Sequence, residues 1–245
     1  MRCTAPEGWL FARYTNDVED QPTLAHEVAV REVVGTQRAL RAPAVLERGR
    51  SWLLETGIRA ERAEGATAVD AIASAAAILP GLRLPEAPQG TRRGGPIAAI
   101  RRAALLGRSA LETHDLLASR RILARPGLES VTIHGDFHVG NILLSRGVAW
   151  VVDWELCGRG PAGLDLMQCW ATLDRAEDRE RLFEAAVRQV GEHRRPEIVR
   201  LRYAVLVRTI AAKIAAPAEF DRDPEGAAKL VRVLPGIREQ ARREA

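Results

Sequence analysis

The spacing of apolar residues along the chain changes period several times. Gly8 to Thr15, GWLFARYT, is apolar and aromatic and ends in a polar turn, which predicts a strand. Asn16 to Pro22 reads as a polar loop. From Thr23 the apolar positions Leu24, Val28, Val33, Val34 and Leu40 follow a helical pattern, with Thr23 as its cap. Pro43 to Leu46 and Ser51 to Glu55 flank the polar ERGR and predict a hairpin, broken by Thr56-Gly57. Thr67 to Leu79 is an Ala-rich helix stopped by Pro80-Gly81, and Leu82 to Pro96 is a Pro- and Gly-rich loop. Ile97 to Leu123 returns to helical spacing, with a break at Gly107, and ends at Arg125-Pro126-Gly127. Short strands are then predicted at Val131–Ile133, Ile142–Leu144 and Ala149–Val152, and a turn at Gly158–Pro161. Helices fill most of the remainder, and no internal repeat is visible. The result is an α+β chain: a few strands around one helix, a break near residue 57, and a larger, mostly helical part with one strand pair at its centre.

At 245 residues the chain is long enough for one large domain or two unequal lobes. No apolar run reaches the roughly 18 residues of a membrane helix. The best candidate, Ile198 to Ala216, is interrupted by Arg200, Arg202, Arg208 and Lys213 and reads as a buried helix with a polar stripe. The N-terminal MRCTAPEGWLFARY lacks the apolar core of a signal peptide. Cys3, Cys157 and Cys169 are odd in number and show no CxxC spacing, so neither a disulfide framework nor a zinc site is suggested, and a cytoplasmic location is expected. The net charge of +4 suits an anionic ligand such as a nucleotide. Nucleic acid is not the expected partner, because Arg is scattered along the chain and aromatic residues, at 4%, form no stacking platform.

Chemistry concentrates in Val131 to Asp153, VTIHGDFHVGNILLSRGVAWVVD. A hairpin here would bring Asn141, at the start of one strand, near Asp153, at the end of the next, with Asp136 just before it. Three readings compete. His134, Asp136 and His138, at i, i+2 and i+4, would share one face of an extended strand as transition-metal ligands. Gly135 and Gly140 argue for a loop instead, and no further His or Cys cluster completes such a site. A polar turn explains one acidic residue but not the ordered set. A kinase-type loop explains all four of His134, Asp136, Asn141 and Asp153. Phosphoryl transfer needs one carboxylate to orient the attacking hydroxyl and oxygen ligands to hold magnesium against the nucleotide phosphates.

HGDFHVGNIL followed by VVDWE resembles the aminoglycoside phosphotransferase and choline kinase-like family, two-lobed relatives of protein kinases. The resemblance implies a protein kinase-like fold, with a small β-rich N-lobe and hinge at 1–57 and a mainly helical C-lobe at 58–245 carrying the catalytic loop. It makes Asp136 the catalytic Asp, Asn141 and Asp153 the magnesium ligands, and His134 a structural residue. Trp154 replaces the DFG Phe, as is usual in this family. Asp165, in GPAGLDLMQCW, matches an Asp that braces the catalytic loop; it reads equally as a first-turn helix acid. Glu155 reads as solvated.

The same resemblance calls for a small-lobe Lys, a helix Glu that pairs with it and a glycine-containing phosphate loop. Glu27, in LAHEVAVREVV, stands in place of the Glu. The strand's basic residue is Arg13, which would pair with Glu27 and contact the phosphates, although a planar guanidinium is no simple substitute for Lys. SWLLETGI resembles the last small-lobe strand and the hinge, so Glu55 to Gly57 would offer backbone groups to adenine. In the family the glycine loop precedes the Lys strand by two strands, whereas eight residues precede Trp9, so the small lobe is expected to be truncated or its start to lie upstream. The implied activity is ATP- and Mg2+-dependent phosphorylation of a small-molecule hydroxyl. The rival is a catalytically weak or inactive pseudokinase-like binding protein without the glycine loop. The acids Glu177, Asp178, Glu180 and Glu184 would suit a polycationic acceptor, but Arg175, Arg179, Arg181 and Arg188 among them make a solvated helix face the simpler reading.

Overall fold

Leu53 and Glu55 are buried and alternate with more exposed neighbours along Trp52–Thr56, the period-two signature of a strand with one covered face. The computed structural model describes residues 2–5, 8–14, 21–37, 40–49, 52–58, 61–62, 65–85, 111–215 and 224–244. It places this strand, β5, inside a four-stranded antiparallel sheet of order β1 (Arg2–Ala5), β2 (Gly8–Tyr14), β5, β4 (Val45–Arg48). β4 and β5 form the expected hairpin, and β2 pairs with β5 so that Arg13 lies opposite Leu53 and Phe11 opposite Glu55. β1, unread in the sequence, pairs with β2 from Arg2↔Phe11 to Ala5↔Gly8.

Helix α1 runs from Gln21 to Val34. Thr23 is therefore inside its first turn and not its cap; Pro22, whose fixed φ suits a helix start, leads it in. The helix stops six residues short of Leu40 because Gly35 closes it, donating its N–H to Arg31 O at 2.8 Å. Leu40 instead opens a two-residue strand, β3 (Leu40–Arg41).

β3 runs parallel to β9 (Val148–Val151) in a second sheet of order β3–β9–β8–β6, with β8 at Ile142–Ser145 and β6 at Glu61–Arg62. β8 and β9 are joined by Arg146-Gly147, both at positive φ (50° and 75°), as a tight two-residue hairpin turn requires. Gly158–Pro161, expected as a turn, is a strand, β10, antiparallel to β7 (Ser130–Ile133). Its glycines mimic a turn in the sequence, but a Cβ at Gly160 would strike the Ile133 side chain across the pair. Helix α2 (Gly65–Ile78) buries Val69, Ile72 and Ala76 along one stripe, as the Ala-rich pattern predicts, and Leu79 is buried just past its end.

By contacts the chain divides into two units: Met1–Thr91 with Ser130–Asp165, and Arg92–Glu129 with Leu166–Ala245. The loop from His134 to Asn141 thus groups with the strands of the first unit. Most of the expected helix at 97–123 lies outside the described residues; its described part is α3 (Thr113–Ala124).

The second unit is helical: α3, the body of α4 (Leu164–Trp170), α5 (Ala176–Val190), α6 (Arg195–Ala215) and α7 (Pro224–Arg243). α6 packs on α3 and α7 and buries Ile198, Leu201, Leu206 and Ile210. Its polar residues are not all on a solvated stripe. Arg202 is buried, its guanidinium 4.0 Å from the Phe183 ring centroid, and it donates to Gln240 Oε1 at 2.5 Å. Asp115 is fully buried and ties three helices together. Its carboxylate accepts the Tyr203 hydroxyl at 2.6 Å, Arg238 Nη2 at 2.5 Å and the Glu112 N–H at 3.0 Å. Tyr203→Phe removes one charge-assisted bond from this network and is expected to cost about 2 kcal/mol in urea unfolding. Among the described residues no helix is long and apolar enough to cross a membrane.

Candidate active site

Everything in the site hangs on how the chain turns after β7. Gly135 has φ +86°, and a side chain there would collide with the Leu156 backbone carbonyl, so the turn requires glycine. The turn sends His134 and Phe137 inward, both fully buried, and leaves the Asp136 side chain 42% exposed, open to a substrate. His134, Asp136 and His138 do not share a face, which removes the geometric premise of the transition-metal reading. Among the described residues, no three His, Cys, Asp or Glu side chains converge as a metal-ligand cluster.

His134 is the post of the loop. As a carbonyl can only accept, its Nε2–H donates to Val152 O at 3.1 Å, and Nδ1 then accepts the Asp136 N–H at 3.3 Å. Burial holds the ring neutral, pushing its pKa down to about 4. Trp154 seals it edge-on at 4.6 Å and donates its indole N–H to Val151 O at 2.9 Å. Asp165 braces the loop from below: Oδ2 accepts the His134 N–H at 2.8 Å and Oδ1 the Gly135 N–H at 3.1 Å. It also stands in the first turn of α4, so both readings of this residue describe one position.

Asn141 begins β8 and links the loop to the hairpin. Its Nδ2 donates to Asp136 O at 3.0 Å and to Asp136 Oδ2 at 3.2 Å, which commits the amide nitrogen and orients Oδ1 as the acceptor end. The Val152 N–H donates to Asn141 O at 3.0 Å, so the residue before Asp153 is tied to Asn141 itself. Asp153 lies in the left-handed region at φ 67°, a conformation that Asp tolerates better than most residues and that often marks functional positions. His138 Nε2 stands 3.5 Å from Asp136 Oδ2, a long contact, and its Nδ1 accepts the Gly140 N–H at 3.0 Å. The His138 ring, ahead of Asn141, holds the Asp136 carboxyl below its ordinary value, so it is an anionic acceptor at neutral pH.

A cavity of about 400 Å³ brings Glu55, Thr56 and Ile58 together with Asn141, Leu143 and Asp153. Larger hollows of about 490 Å³ lie elsewhere in the unit and hold none of the acidic candidates; Gly57 lines one of them with Ser145 and Trp150. The backbone of Arg13 is on β2, and its side chain lies outside the described residues. Glu27 is buried on α1 and accepts Arg31 Nη2 at 2.5 Å. Glu55 turns its carboxylate to the same guanidinium, accepting from Arg31 Nη1. Sequence reasoning missed Arg31 and the role of His138; the only hint of Arg31 was its i+4 spacing from Glu27.

A family model for the phosphotransferase enzyme family matches residues 3–202. The chain belongs to this phosphotransferase family. No curated protein matches it significantly in sequence. The macrolide 2'-phosphotransferase of Brachybacterium faecium, without ligand, superposes with a TM-score of 0.60 at 14% identity, over 94% of this chain and 86% of that one. A choline/ethanolamine kinase family protein of Mesorhizobium loti gives 0.63 at 18%, over 96% and 85%. A ternary complex of an aminoglycoside phosphotransferase with streptomycin and ATP gives 0.58 at 12%, over 97% and 92%. At these identities the likeness establishes the fold, which is the α+β, protein kinase-like one that the motif resemblance implies.

The brace and the post have opposite pH signatures. Burial pushes the Asp165 carboxyl up to about 6, so its contribution to stability is present below pH about 4 and lost as pH rises through 6. His134, pushed down to about 4, contributes above its ordinary 6.5, and that contribution is lost as pH falls through 4. Each is worth roughly 3 kcal/mol and they oppose one another between pH 4 and 6. Asp165→Asn removes the first and leaves the second. Its stability in urea titrations is therefore expected to fall more steeply than that of the parent protein on acidification from pH 6.5 to 4.

Proposed function

We propose that this chain transfers the terminal phosphoryl group of ATP to a hydroxyl of a small molecule, using magnesium, in the cytoplasm. The observation that carries the reading is the coupling of Asp136, Asn141 and Asp153 through one hairpin, with the loop fixed from both sides by His134 and Asp165.

In this reading Asp136 accepts a hydrogen bond from the acceptor hydroxyl and aligns its oxygen with the γ-phosphorus. The new O–P bond forms as the bond to the β-γ bridging oxygen breaks. ADP leaves, and the hydroxyl proton passes to Asp136 and then to water. Asn141 Oδ1 and the Asp153 carboxylate would hold magnesium, a hard cation that prefers oxygen donors. Magnesium would neutralise charge on the phosphate oxygens. Glu55 and its neighbours at the end of β5 present backbone groups to adenine, and Arg13 and Glu27 steady the phosphates. The ATP of the streptomycin complex and the AMP of another structure of like fold are consistent with a nucleotide in this cavity.

The acids of α5 do not argue for a polycationic acceptor. Glu177 is paired with Arg175, and Glu184 accepts two bonds from Arg195 at 2.8 Å each, so these charges are already answered. ADP release assayed over a panel of alcohols, from aminoglycosides and macrolides to choline and ethanolamine, tests the reading. Magnesium-dependent release with at least one acceptor is expected. Nucleotide binding without release for any acceptor would favour the inactive binding protein instead.

A further inference from the structure

Arg31 is the best-buried cation among the described residues of the first unit. Its Nη2 donates to Glu27 on its own helix at 2.5 Å, its Nη1 donates to Glu55 on β5, and its side chain is 2% exposed. One guanidinium thus holds two buried carboxylates that the proposed function places in the nucleotide site. One of them, Glu55, is next to last in the strand that leads to residues 55–57, and the other is the helix Glu. Five residues earlier on the same helix, His26 donates to Cys157 O at 3.0 Å, just beyond the Asp153–Trp154 segment. α1 is therefore pinned at two points, by His26 to the segment after the metal-binding Asp and by Arg31 to the strand before the hinge, with Glu27 between them. The planar, forked guanidinium suits this task, since its separate nitrogens reach two carboxylates at once; an ammonium is a single point charge on a flexible stem.

We infer that Arg31 is a positioning residue: by bridging Glu27 and Glu55 it fixes the orientation of α1 against β5 and so the geometry in which nucleotide is held. The inference rests on the reading of this unit as a nucleotide site.

The decisive variant is Arg31→Leu/Glu27→Gln/Glu55→Leu, set beside Glu27→Gln alone: replacing a whole buried charge triad by uncharged side chains often keeps stability, whereas Arg31→Leu alone would take the guanidinium from two buried carboxylates. Calorimetry with ATP and magnesium gives affinity, thermal unfolding gives stability, and hydrogen exchange of the Val28–Val34 amides reports on the helix without any ligand. The expected result is an unfolding midpoint near that of Glu27→Gln, with affinity at least tenfold weaker and exchange at least tenfold faster than in that single variant. A merely structural role would move the midpoint and leave the affinity of the folded variant unchanged. Arg31→Lys, which keeps the charge but loses the fork, carries the same test against the parent protein if the triple variant does not fold, with a severalfold loss expected. Affinity and exchange in the triple variant equal to those of Glu27→Gln, or parent-like values in Arg31→Lys, would overturn the inference. If the parent protein itself binds no ATP, the functional reading fails, and the exchange data alone decide whether Arg31 holds the helix.

Discussion

Asp136→Asn is expected to lower phosphoryl transfer by about 100- to 10,000-fold while leaving the chain folded. The substitution keeps the shape of the side chain and an oxygen that can accept from Asn141 Nδ2, now 3.2 Å from Asp136 Oδ2. The His134 and Asp165 bonds that hold the loop go to the backbone of residues 134–136 and are untouched. What is lost is the negative charge and the ability to take the hydroxyl proton. The side chain is 42% exposed, so the change leaves no buried group unpaired. Turnover measured by ADP release, beside an unchanged unfolding midpoint, checks this. A variant with parent-like turnover would remove Asp136 from the chemistry.

Asp153→Asn is expected to weaken magnesium-dependent ATP binding on the order of a hundredfold, at the upper end of what losing even an indirect metal contact costs. Asn adopts the left-handed backbone about as readily as Asp, so the φ of 67° at this position is preserved and the variant tests charge rather than strain. Affinity for ATP in the absence of magnesium should change little. That contrast separates loss of a metal ligand from general damage to the cavity.

These two residues were legible in the sequence because hairpin chemistry is local. Arg146-Gly147 fixes the turn, the apolar runs on either side fix the strands, and Asn141 and Asp153 then meet by register. Other parts were hidden for physical reasons. β10 is written in glycine because Ile133 occupies the space across from it, and glycine in a sequence signals a turn. Arg31 reads as a solvent-facing helix charge because one of its carboxylates arrives from a strand 24 residues away. The i, i+2, i+4 spacing of His134, Asp136 and His138 suggested a shared face only while the segment was taken as extended. The positive φ of Gly135 turns it, buries His134 and sets His138 beside Asp136. Asp165 could not be resolved from sequence between brace and helix acid, since the position serves both.

Calorimetric titration of ATP into the purified protein, with and without magnesium and beside Asp153→Asn, tests the central claim most directly. The account predicts binding that magnesium strengthens and that Asp153→Asn reduces to the magnesium-free level. Absence of ATP binding by the folded parent protein, or binding indifferent to magnesium and to Asp153, would contradict a working metal–nucleotide site on this hairpin.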